Sequence, residues 1–316
     1  MGAIDPSSTP MNACTLPAPV TKKQRLQDDV VFCLTIENIA SFRQLVDVIG
    51  GVLKHVEFTL TPHPSLDNTV VLSVDSIDPQ HVCMVQSRLS CSGVLHGSSV
   101  SFCIDTETLM TCLRNIRRHH TIELSQRRGQ TEVCMHSIDG QHNRRDLSFE
   151  LTTYDDSAET LSLDDLDYEY VINVNMPDMK TMFKMAKDLK CDDIRMEVFV
   201  DKNWSAGDTL KTMVLQVSSK GDAAFKRLFV SSVVEEGSNE TQSMQDTSDA
   251  FVSVEDMKMV NSEAYTLDYM IKFLKNMDQP MITMKMGTGL PILLHYDLGV
   301  DSSFVRFVLA PKTSSD

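Results

Sequence analysis

One pattern constrains this chain more than any other. A run of strand, amphipathic helix, several strands, amphipathic helix and several more strands occurs twice, on either side of one acidic stretch. The clearest helix is Met179–Cys191. Met179, Met182, Phe183, Ala186 and Leu189 fall on one face, and Lys180, Lys184 and Lys187 on another. Pro177 and Asp178 suit its first turn. In the same half, Ser262–Met277 puts Leu267, Met270, Ile271 and Leu274 against a core and leaves Lys272 and Lys275 elsewhere. The first half offers Asn38–Leu53, with a stripe of Ile39, Phe42, Val46, Ile49 and Leu53, and with Arg43 and Lys54 as its bases. It also offers Asp105–Arg118, where Leu109, Leu113 and Ile116 form the stripe. Arg114, Arg117 and Arg118 share another face there, with His119 and His120 just beyond.

Between these helices lie alternating, β-branched runs joined by polar turns. They include Val82–Leu89, Thr131–His136, Asp146–Thr152, Ala224–Val233 and Phe251–Met259. Two helices among many strands in each half predict an α+β chain, with helices on one face of antiparallel sheets. Residues 1–29 are rich in Pro, Ser, Thr and Ala and read as a disordered extension. Residues 30–153 and 168–312 are the two predicted domains, 154–167 the linker between them, and 313–316 a tail. The longer loop at Lys202–Lys211 and the acidic stretch at Glu235–Asp249 read as insertions.

Composition narrows the function classes. At 42% hydrophobic and 23% charged, the chain reads as globular, with no membrane-length apolar run. Its eight cysteines are scattered without a Cys-x-x-Cys pair, as expected of buried thiols in a reducing compartment. The net charge of -15 alone argues against contact with phosphates. Its distribution argues otherwise: the acids gather in loops and the bases on helices. For any single base a solvated surface role reads equally well.

Several motifs resemble one family. Val74-Asp-Ser-Ile-Asp-Pro-Gln-His-Val-Cys-Met-Val-Gln86 is similar to the Met-Asp-Ser-Ser-His-Val-Ser-Leu-Val-Gln stretch of proliferating cell nuclear antigen, with three extra residues before His81. Asn173-Val-Asn-Met-Pro177 resembles its Val-Val-Lys-Met-Pro, and Pro291-Ile-Leu-Leu-His-Tyr296 its Pro-Leu-Val-Val-Glu-Tyr. Val308-Leu-Ala-Pro-Lys312 resembles its Tyr-Leu-Ala-Pro-Lys ending.

The resemblance implies the DNA-clamp fold, two similar domains with antiparallel sheets outside and two helices each on the inner face. It implies a homotrimeric ring that encircles duplex DNA, serves as a polymerase processivity factor in replication and repair, and acts in the nucleus or at a site of viral DNA replication. The implied DNA-binding lining is Arg43, Lys54, Arg114, Arg117, Arg118, Lys180, Lys184, Lys187, Lys190, Lys272 and Lys275. The implied pocket for short peptides of polymerases, clamp loader, nucleases and ligases comprises Val74, His81, Val82, Leu161, Leu163, Leu166, Pro291, Val308 and Ala310. Val308 stands where the family usually has an aromatic ring, which implies a wider pocket or a different peptide anchor. The implied subunit contact pairs Thr131–His136 with Ala224–Ser231, through Thr131, Val133, Met135, Phe225, Arg227 and Phe229. An edge covered within the monomer is the alternative for these strands.

No phosphate-binding Gly loop, nucleophile elbow, His-Glu-x-x-His helix or Cys/His metal spacing is present in the sequence. The expectation is therefore no enzyme, no cofactor and no metal. A checkpoint-type clamp subunit or a monomeric viral processivity factor is the nearer rival reading.

Overall fold

The computed structural model describes residues 29–140, 144–155, 166–203, 212–232, 254–275, 277–299 and 303–312. The N-terminal extension, Leu161 and Leu163 of the linker, most of the Lys202–Lys211 loop, the Glu235–Asp249 insertion and the tail lie outside the described residues.

The first half runs β1 (Val30–Ile36), α1 (Ile39–Gly50), β2 (His55–Pro62), β3 (Thr69–Ile77), β4 (Cys83–Leu95), β5 (Val100–Asp105), α2 (Thr106–Arg114), β6 (His120–Arg127), β7 (Val133–Asp139) and β8 (Arg144–Leu151). The second half runs β9 (Tyr170–Asn175), α3 (Met176–Asp188), β10 (Asp193–Asp201), β11 (Thr212–Lys220), β12 (Ala224–Ser232), β13 (Met257–Thr266), α4 (Leu267–Leu274), β14 (Met281–Met286), β15 (Ile292–Asp297) and β16 (Phe304–Leu309). Every pairing between these strands is antiparallel.

Local chemistry starts three of the four helices. Asn38, Asp105 and Asn175 accept the backbone N–H of Ser41, Thr108 and Asp178, the usual way of satisfying an orphan donor in the first turn. Helix α3 ends in a Schellman turn. Lys190 takes φ 54°, the N–H of Cys191 donates to the Ala186 carbonyl, and the N–H of Lys190 donates to that of Lys187.

Twelve strands form one sheet, with the path β8-β7-β6-β1-β4-β16-β15-β14-β9 and with β3, β2 and β5 branching from β4. The other four form the sheet β12-β11-β10-β13. The 13-residue β4 is the seam. It pairs with β3 along one side. On the other side its first half pairs with β16 and its last residues with β1. Gly93 makes the β1 approach possible, because a Cβ there would sit 2.4 Å from the Cys33 carbonyl oxygen. Buried side chains of both halves join one core, from Phe32 and Phe42 to Phe273 and Phe307.

Four expectations need correction. The predicted second helix, Asp105–Arg118, ends at Arg114, so Arg117 and Arg118 lie between it and β6 rather than on a helix face. The predicted fourth helix began at Ser262, but Asn261–Thr266 belong to β13 and the helix starts at Leu267. The expected strand Val82–Leu89 runs on to Leu95. The strand Thr131–His136 is not an edge, because β7 lies between β6 and β8 and the edge is β8.

Candidate nucleic-acid interface

The four helices form one layer. Helix α1 packs on α2, α4 packs on α3, and α1 also meets α4, giving the row α2-α1-α4-α3. The apolar stripes face inward: Leu109 and Leu113 of α2, Phe42 and Ile49 of α1, Met270 and Phe273 of α4, and Met179 and Phe183 of α3 are all buried. The seam of the row sits at Gly51, whose position for a Cβ lies 3.8 Å from the Lys272 side chain.

The bases expected to meet DNA separate into two groups. Lys54, Arg114, Arg117, Arg118, Lys184, Lys187, Lys272 and Lys275 are exposed. Lys272 stands 5.1 Å from the centre of the Tyr269 ring, a cation–π contact that holds it on α4. The other three have partners within the protomer. Arg43 donates through Nη2 to the carbonyls of Leu113, at 2.6 Å, and Ile116, satisfying the C-terminal end of α2. Burial, then the nearby Arg118 charge, lowers its pKa against the opposing pull of Asp47. Lys180 donates to the Met277 carbonyl just past α4, and Lys190, itself exposed, pairs with Asp222 at 2.9 Å.

The residues expected to hold partner peptides also divide. Val74 is 1% exposed within the main core, and Leu166 is half-buried. His81, Val82, Pro291 and Ala310 are at least partly accessible. Val308 joins Met84 and Leu293 in a small apolar cluster apart from the main core, with Ile77 and Tyr168 packed against it. The sequence reading missed these four neighbours of Val308. The signal was the β4–β16 register, which sets Val308 opposite Met84. Burial raises the Tyr168 pKa to about 12, and its Oη has no hydrogen-bond partner among the described residues.

The loop beside this cluster is held by Asp78. Its Oδ1 accepts the N–H groups of Val82 at 2.8 Å and Cys83 at 2.6 Å; its Oδ2 accepts the Tyr269 hydroxyl at 2.6 Å and the Gln80 N–H at 3.3 Å. Burial pushes the Asp78 pKa up, but the Tyr269 hydroxyl and the three N–H donors outweigh it, and the net shift is downward. His81 takes φ 55° within this loop. The Ala310 N–H donates to the Val82 carbonyl at 3.0 Å, bringing the C-terminal strand's exit onto it.

Of the expected subunit contacts, Val133 and Met135 are fully buried in the protomer's own core. Thr131 is exposed before β7. The exposed edge side chains are instead those of β8, with Arg144, Arg145, Asp146, Ser148 and Glu150 outward. Strand β12 is one edge of the second sheet, and β13 is the other. On β12 Phe225 is half-buried, Phe229 is buried, and Arg227 stacks on Phe229 at 5.4 Å while pairing with Asp178 at 2.8 Å.

No protein-family model matches this sequence, and no curated protein matches it. Solved structures do match. Proliferating cellular nuclear antigen from Entamoeba histolytica superposes with a TM-score of 0.67 at 15% identity, over 90% of this chain and 100% of that one. The antigen from Thermococcus kodakaraensis superposes at 0.64 and 16% identity, over 89% and 100%. The fold is that of proliferating cell nuclear antigen.

Proposed function

We propose that this chain is a DNA sliding clamp, in which three copies join head to tail through β8 of one and β12 of the next. The observation that carries the reading is the single helical row on a clamp fold, with Arg114, Lys184, Lys187 and Lys272 exposed on its helices and Lys54, Arg117, Arg118 and Lys275 exposed just beyond their ends. Three such rows closed into a ring present positive charge to a duplex threaded through it. That charge attracts phosphates without reading bases, so the ring slides. The head-to-tail contact is heterologous and closes because the rotation it imposes closes. The clamp performs no chemistry. It raises polymerase processivity by tethering, which turns rebinding into an intramolecular event at high effective concentration. Polymerases, the clamp loader, nucleases and ligases dock through short peptides at the Met84–Leu293–Val308 cluster. The place of action is wherever duplex DNA is copied, the nucleus or a viral replication site.

Light scattering after size exclusion, over a concentration series, tests the assembly. A mass near three times 35.4 kDa is expected. A stable monomer would replace the ring with a monomeric or hetero-oligomeric clamp-fold factor. Docking is tested separately: His81→Glu with Ala310→Glu, both exposed beside the cluster, should abolish binding of a polymerase-derived peptide in a titration while the trimer mass stays the same.

A further inference from the structure

A cluster outside the helical row has the makings of a metal site. His119 and His120 join α2 to β6, and Asp139 ends β7 directly opposite His120 in the register. The potential ligand atoms of these three side chains lie within 4.8 Å of one another. The two imidazoles meet edge to face, with centroids 4.6 Å apart.

His120 supplies the decisive observation. Its side chain is 1% exposed, and its two nitrogens are in unlike surroundings. Nδ1 lies 2.6 Å from the Ser137 hydroxyl and 3.9 Å from an Asp146 carboxylate oxygen. Nε2 is buried and has no hydrogen-bond partner among the described residues. A carboxylate on the Nδ1 side favours the tautomer that carries its proton there. That leaves the Nε2 lone pair bare in a buried place. A metal-bound histidine is held in this way, with one nitrogen fixed by an outer hydroxyl or carboxylate and the other presented to the ion.

We propose that His119, His120 and Asp139 bind a borderline divalent ion of the zinc class, with one coordination position left to water. Two imidazoles and one carboxylate are a zinc-type donor set, poorly suited to magnesium or calcium. The exposed His119 ring turns to close the ligand spacing toward the ~2.0–2.1 Å bond lengths of such an ion. Arg117, Arg118 and Arg144 stand beside the site in the sequence or in the strand register, and their charge weakens binding. Asp139 and Asp146 offset it. Bound metal would fix the turn that carries Arg117 and Arg118 to the β6–β7 pair. The site stands on its own residues and does not depend on the clamp reading.

The test uses the tag-free full chain, stripped with a chelator and titrated with Co²⁺ and then Zn²⁺. Wild type should bind cobalt saturably, with a visible d–d band and no thiolate-to-cobalt charge-transfer band, and Zn²⁺ should displace it. His119→Ala and Asp139→Asn should each weaken binding about tenfold or more, with melting temperatures near wild type in the absence of metal. Millimolar Mg²⁺ should not compete. Absence of saturable binding, a charge-transfer band reporting cysteine ligands, displacement by Mg²⁺, or equal affinity in both variants would each overturn the assignment.

Discussion

At the scale of single residues, the acid that organises the candidate docking surface is Asp78. Its carboxylate ties the Gln80–Cys83 backbone to Tyr269 of the other half. Asp78→Asn puts an amide donor among donors, and should cost about 1–3 kcal/mol in urea unfolding at neutral pH. The pH dependence follows from the lowered pKa. The carboxylate's contribution is complete above the ordinary carboxyl range and is lost as pH falls through the depressed folded value. The gap between wild type and Asp78→Asn should therefore narrow as pH drops below that range; a gap independent of pH would mean that the charge is not the anchor. Arg43 poses a different question. Its guanidinium satisfies two carbonyls at the end of α2 through Nη2, so Arg43→Met should destabilise by about 1–3 kcal/mol, and Arg43→Lys should not rescue it, because its ammonium ends one bond short of Nη2. A variant as stable as wild type would free Arg43 for the DNA-facing role that its position on α1 suggested. Neither role was legible in the sequence. A short acid in a turn and a base on a helix read as solvated until long-range pairing supplies their partners.

At the scale of elements, the helices were the legible part. Their stripes carry a period of 3.6, and three of the four starts bear a side-chain cap. The fourth helix misled because Ser262, Glu263 and Ala264 tolerate helix, whereas β10 holds them in register opposite Glu197, Met196 and Arg195. Pairing overrode a weak propensity. The β7 edge misled for a related reason. Alternation identifies a strand and its buried face, but not which strands flank it. The row also sharpens a test of DNA contact. Reversing Lys180 would disturb the α3–α4 packing through its bond to Met277, so the cleaner variant is Lys184→Glu, Lys187→Glu and Lys275→Glu. It should keep its unfolding midpoint within about 0.5 kcal/mol of wild type, as surface substitutions do. Its DNA affinity should fall, and the slope of log affinity against log salt should shrink by about 0.9 for each phosphate contact removed. Unchanged salt dependence would separate these lysines from DNA.

At the scale of the whole molecule, the two halves are not beads on a linker. Strand β16 pairs with β4 over six residues, Phe304 opposite Arg88 to Leu309 opposite Cys83, so one sheet crosses the boundary. Tyr269 reaches Asp78 across the same boundary, and α1 meets α4. A chain stiffened this way holds a fixed angle between its halves, as the proposed ring would require. The hinge freedom of many two-domain chains is absent from such a design. Phe307 is the residue through which to test this. It is fully buried, stacks on Phe273 at 4.5 Å, and sits opposite Val85 of the first half. Phe307→Ala should cost about 3–5 kcal/mol, the range for emptying a buried aromatic site. Because β16 and β4 share hydrogen bonds, hydrogen exchange should show β3 and β4 losing protection together with β15 and β16, in one cooperative unit. Loss confined to β14–β16, with β3 and β4 still protected, would mean that the halves unfold independently. The seam would then be a contact between domains rather than a shared sheet, and the rigidity argued for the ring would fail with it.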